Sequence, residues 1–77
     1  MSKVVKLRKF SGLTQSDMAK ELGISLQWYW QKEKGLTEFN DREKLIIKSI
    51  FNKDFPDLTI DSIFFADEVP NVERGVE

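Results

Sequence analysis

Five consecutive residues, Gln27-Trp28-Tyr29-Trp30-Gln31, combine two side-chain amides with three large rings. An amide offers a donor and an acceptor side by side, the pair that matches the N6/N7 edge of adenine. An indole offers broad, rigid apolar surface, suited to a thymine methyl or to the centre of a protein interface. Neither group breaks covalent bonds. The rest of the chain supplies little for catalysis. With no histidine and no cysteine there is no Ser–His or Cys–His nucleophile, no thiolate metal site and no imidazole ligand. Carboxylates are plentiful but form no recognisable pair, and 77 residues enclose little of a pocket. A non-enzymatic role without cofactor or metal is expected.

The meaning of these residues depends on the element that carries them. In SLQWYWQKEKG, residues 25–35, a helix advances by about 100° per residue. With Tyr29 taken as the inward direction, Ser25, Leu26, Lys32 and Glu33 fall within about 60° of it. Gln27 and Gln31 fall nearly opposite, and Trp28 and Trp30 stand near 100° on either side. The helix then shows two amides bordered by two indoles. Both indoles cannot enter one small core. One of them packing under residues 36–40 or beneath the first helix is the competing reading.

The surrounding elements follow from local signals. Val4, Leu7, Arg8 and Phe10, ahead of Ser11-Gly12, predict a first helix over 3–10. Thr14 reads as the cap of a second helix with Met18, Ala19 and Leu22 inward, and Gly23 ends it. Ser25 caps the third, which runs to Gly35. Asn40 with Glu43 reads as a capping box for a fourth through about Lys53, its inward set drawn from Leu45, Ile46, Ile47, Ile50 and Phe51. After Asp54-Phe55-Pro56, Thr59 or Asp61 caps a last turn whose Ile60, Ile63 and Phe64 close the core. The expected fold is a compact all-α domain of five helices over residues 1–65, with residues 66–77 as a flexible acidic C-terminal tail.

Charge divides the chain. Residues 1–34 carry seven basic side chains against three acidic, and residues 35–77 five against ten, within an overall net charge of −1. A polyanion would meet the first part and be repelled by the second. No apolar run is long enough for a membrane span, and MSKVVKLRKF has too short an apolar core for a signal peptide. A soluble intracellular protein with no membrane partner is expected.

Residues 14–34, TQSDMAKELGISLQWYWQKEK, join two short helices through a glycine, with small Ala19 at their approach and Ile24 and Tyr29 as the plug between them. Together with SGLTQ ahead and Glu33-Lys34-Gly35 behind, this stretch resembles the Cro/repressor-type helix–turn–helix regulators of temperate phages and bacteria. The resemblance covers about residues 3–65. It implies five helices, a third helix that reads operator DNA in the major groove, and action in a phage lysis–lysogeny switch in the bacterial cytoplasm. It also implies that Gln15 touches a phosphate and braces the recognition helix, and that Arg8 and Glu33 form a structural ion pair.

On this reading Gln15, Leu26, Gln27, Trp28, Trp30 and Gln31 make the specific contacts, while Lys6, Lys9, Lys32 and Lys34, with Lys3, hold phosphates. Leu26, Trp28, Trp30 and Lys32 depart from what the family usually carries there. They bring in a second partner, a phage repressor protein bound through the tryptophan face, as in modulators of repression of this fold. Acidic Glu38, Asp41, Glu43, Asp54, Asp57 and Asp61 would steer such a partner. Operator DNA and the repressor both stand as partners, and the oligomeric state stays open.

Overall fold

Four of the five helices among the described residues begin where a short polar side chain takes over an unpaired backbone N–H. In the computed structural model, which describes residues 3–65, the Thr14, Ser25, Asn40 and Thr59 side chains accept from the backbone N–H three residues on. All four caps have extended backbone, the geometry that lets a helix start there. Asp17, Glu43 and Ser62 return the bond to Thr14, Asn40 and Thr59, which completes three capping boxes. The helices are α1 (Lys3–Phe10), α2 (Gln15–Leu22), α3 (Leu26–Glu33), α4 (Asp41–Asn52) and α5 (Ile60–Phe64). The described residues contain no strand. The expected tail, 66–77, lies outside the described residues.

Gly23 makes the turn between α2 and α3 with φ +71, in the left-handed region. The Ile24 N–H then donates back to the Ala19 carbonyl at 3.1 Å, which closes the end of α2. A Cβ added at Gly23 would meet nothing within 4 Å, so an alanine there is opposed by backbone conformation alone. Gly23→Ala is expected to lower the stability read from urea unfolding by about 1–2 kcal/mol. A change below a few tenths would show that the turn does not need this conformation.

The core draws on every helix: Val4 and Leu7 from α1, Met18, Ala19 and Leu22 from α2, Tyr29 from α3, Ile47 and Phe51 from α4, and Ile63 from α5. Phe39, in the segment before α4, adds a ring that stands 6.0 Å from Tyr29 and 5.8 Å from Phe64. The most extensive helix–helix packing is between α2 and α3, while α4 packs on both α2 and α5. Asn52 pins the segment after α4 by donating to the Phe55 and Leu58 carbonyls.

Several inward assignments need correction. Leu45 is 61% exposed, because Ile47 and Phe51 already fill the single face that α4 turns to the core. Phe10, the last residue of α1, is 77% exposed and rests edge-on against Phe55. Ile60 is half-buried and stays outside the core cluster, leaving Ile63, with Phe64 beside it, to close that end. The third helix stops at Glu33, two residues short of Gly35. Among the described residues no helix is long and apolar enough to cross a membrane.

Candidate functional site

Four side chains from three elements meet at the C-terminal end of α3. Arg8 Nε donates to Glu33 Oε2 at 2.6 Å, and a second guanidinium nitrogen stands 3.4 Å from Oε1. Gln15 Nε2 donates to Oε1 at 2.7 Å, and the Tyr29 hydroxyl to Oε2 at 2.8 Å. The remaining Arg8 nitrogen donates to the Leu13 carbonyl at 3.0 Å. Glu33 is 4% exposed and Arg8 8%, so the pair is withdrawn from water and its geometry matters. Burial by itself would raise the Glu33 carboxyl. The bonds from Arg8, Gln15 and Tyr29, with the charge of Arg8, reverse that and hold it below the usual carboxylate value. Burial, then the bond to Glu33, raises the Tyr29 hydroxyl far above an ordinary phenol. It therefore acts as a neutral donor.

This knot ties α1, the start of α2 and the end of α3 together. The Arg8–Glu33 pair stands as the resemblance implied, and the bracing role of Gln15 is present as a direct bond to Glu33. A second buried carboxylate fixes the same helix from the other side. Lys32 Nζ donates to Glu43 Oε1 at 2.6 Å, with Glu43 2% exposed. Lys32 is thus a correction: its ammonium belongs to a half-buried ion pair with α4 and is not presented to a phosphate. The residues are eleven apart, so no local pattern announces the contact.

The outward face of α3 carries Leu26, Gln27, Trp28 and Trp30, all exposed. Trp28 is 52% exposed and Trp30 41%, so neither indole packs away under a loop. Leu26 was placed on the inward side by rotation, yet it is 49% exposed. It is the first residue of α3, and side chains there lean toward the helix N-terminus, past the edge of the core. Gln31 is half-buried rather than fully outward, since the chain folds back and the Leu36 N–H donates to the Gln31 carbonyl at 2.9 Å. Leu36 itself, 68% exposed just past α3, extends the apolar surface and was missed by reasoning confined to the helix.

Of the expected phosphate-holding lysines, Lys6 and Lys9 are exposed on α1. Lys34 is exposed too, its ammonium 5.4 Å from the centroid of the Trp30 ring. The face therefore combines one free amide, two half-exposed indoles and two leucines, with cations at its margins and none at its centre. The chain matches no family model, and no curated protein or solved structure matches it.

Proposed function

We propose that this protein is a helix–turn–helix transcriptional regulator of the Cro/repressor type, acting in a phage lysis–lysogeny switch, with α3 as the helix that meets operator DNA. The observation that carries the reading is the support of α3. Its buried side is fixed by Tyr29, by the Glu33 knot and by Lys32–Glu43, while Gln27 is left exposed. A recognition helix needs that combination of rigid mounting and an outward amide. Lys6, Lys9 and Lys34 supply exposed cations for phosphates, and Gln15 lies at the N-terminal end of α2, where it can brace α3 and approach the backbone.

A second reading rests on a separate observation, the apolar surface of Leu26, Trp28, Trp30 and Leu36. Exposed tryptophans at the middle of a face are typical anchors of protein interfaces. In this reading the partner is the phage repressor, and the regulator modulates its hold on the operator.

Mobility shift on switch-region DNA, with the protein alone and then with the cognate repressor, tests both. A direct, salt-sensitive shift is expected, weakened about 10- to 100-fold by Gln27→Ala if its amide reads a base. Lys6→Ala should weaken all sequences alike and reduce the salt slope by about one. No shift alone, with an altered shift by the repressor, would discard direct reading and leave the partner reading.

A further inference from the structure

At the C-terminal end of α3 lies an open cavity of about 460 Å³. Its walls come from the start of α1, the end of α3, the segment 35–39, α4 and α5. That volume falls in the range of small-molecule sites. Phe39, Phe64 and Phe65 give it an aromatic side, and Phe39 and Phe64 stand edge to face. Lys3, Lys34 and Lys44 give it cations, and none of the three is paired with a carboxylate among the described residues. The Lys44 ammonium lies 4.8 Å from the centroid of Phe65 and 5.7 Å from that of Phe64, so charge and ring face occur together. The carboxylates on the wall do not cancel this. Glu33 is already saturated by Arg8, Gln15 and Tyr29, which leaves Glu38 against three ammonium groups.

We infer that this cavity is a binding site for a small amphipathic anion, a phosphate or carboxylate carried on an aromatic body. The ring would lie against Phe39, Phe64 and Phe65 while the anion takes Lys34 and Lys44, with Lys3 at the rim. Charge-assisted bonds to ammonium groups favour the anion, and water exclusion by the rings favours the body. Lys34 connects the site to the outer face. It lines the cavity, and its ammonium also rests over Trp30. An anion that engages Lys34 draws this cation off the indole and changes the surface α3 presents. The site thus adds effector control to the face described above, but its occupancy does not depend on whether that face meets DNA.

The test is a titration of the full-length, isotope-labelled protein followed by NMR, with phenyl phosphate, inorganic phosphate and benzyl alcohol as separate probes. Phenyl phosphate should bind saturably and shift the amides of Gly35, Thr37, Phe39 and Lys44, and the indole N–H of Trp30 more than that of Trp28. Inorganic phosphate and benzyl alcohol should each bind at least about tenfold more weakly, since each lacks one half of the recognition. Lys34→Ala with Lys44→Ala should weaken phenyl phosphate about tenfold or more while thermal unfolding stays cooperative. Equal binding of all three probes, shifts centred on α2 instead, or no effect of the double substitution would each overturn the site. Saturable binding with an unmoved Trp30 indole would overturn the link to α3.

Discussion

Glu33→Ala is expected to destabilise the domain by about 3–5 kcal/mol, enough to unfold most of a domain this small. The carboxylate accepts from Arg8, Gln15 and Tyr29 at once, and its loss strands a guanidinium that is only 8% exposed. The penalty comes chiefly from that orphaned charge. Glu33→Met combined with Arg8→Met should therefore be more stable than Glu33→Met alone, although the Tyr29 hydroxyl and the Gln15 amide still lose a partner. Urea unfolding followed by circular dichroism measures both. A double variant no better than the single one would show that the buried charge is not the cause.

The same carboxyl gives the effect a pH signature. Its folded-state pKa is lowered, so its contribution is complete above the unfolded value, about 4.3, and is lost as pH falls through the folded value. Wild type should thus lose urea resistance below about pH 4 more steeply than Glu33→Gln, whose amide cannot titrate. Asp17 also has a lowered carboxyl, through its bonds with Thr14, and contributes in the same direction, so the difference between the two profiles is the quantity to read. Parallel profiles would remove Glu33 from the acid transition.

What could be read from the sequence was mostly what short-range chemistry decides. Thr14, Ser25, Asn40 and Thr59 cap the helices they precede, because the bond they make lies only three residues away. Gly23 adopts the turn conformation for an equally local reason. Tyr29, taken as the inward reference of α3, is buried, and both indoles, which the rotation put at the border of the outward face, are exposed. Rotation failed where a side chain's surroundings come from elsewhere in the chain. Lys32 lies on the inward arc of α3, but only the fold brings Glu43 to it. Leu45 follows an apolar pattern, yet a core that holds ten buried apolar residues among the described ones has no room for every apolar position of a twelve-residue helix. Leu36 lies past the helix end, where periodicity says nothing, and its exposure depends on the fold-back to Gln31.

Trp28→Ala and Trp30→Ala should separate the two kinds of partner because the indoles and the amides answer to different surfaces. Both rings are about half exposed and outside the core, so each substitution should leave stability within about 1 kcal/mol of wild type. Trp30→Ala also gives up the contact with Lys34, a contribution of about 0.5 kcal/mol at an exposed site. In a shift that depends on the repressor, losing an anchoring indole should weaken the effect by at least about 2 kcal/mol, roughly 30-fold. In a direct shift on operator DNA the same substitution should change affinity less than about threefold, while Gln27→Ala carries the larger loss. The reason is geometric. An indole in a groove offers apolar contact but no paired donor and acceptor, whereas on a protein it can fill a pocket. The contrast between Trp28→Ala and Gln27→Ala within one assay therefore identifies the surface α3 meets, whatever the absolute affinity. If both tryptophan variants match wild type with DNA and with repressor alike, the exposed indoles of α3 are not part of an interface.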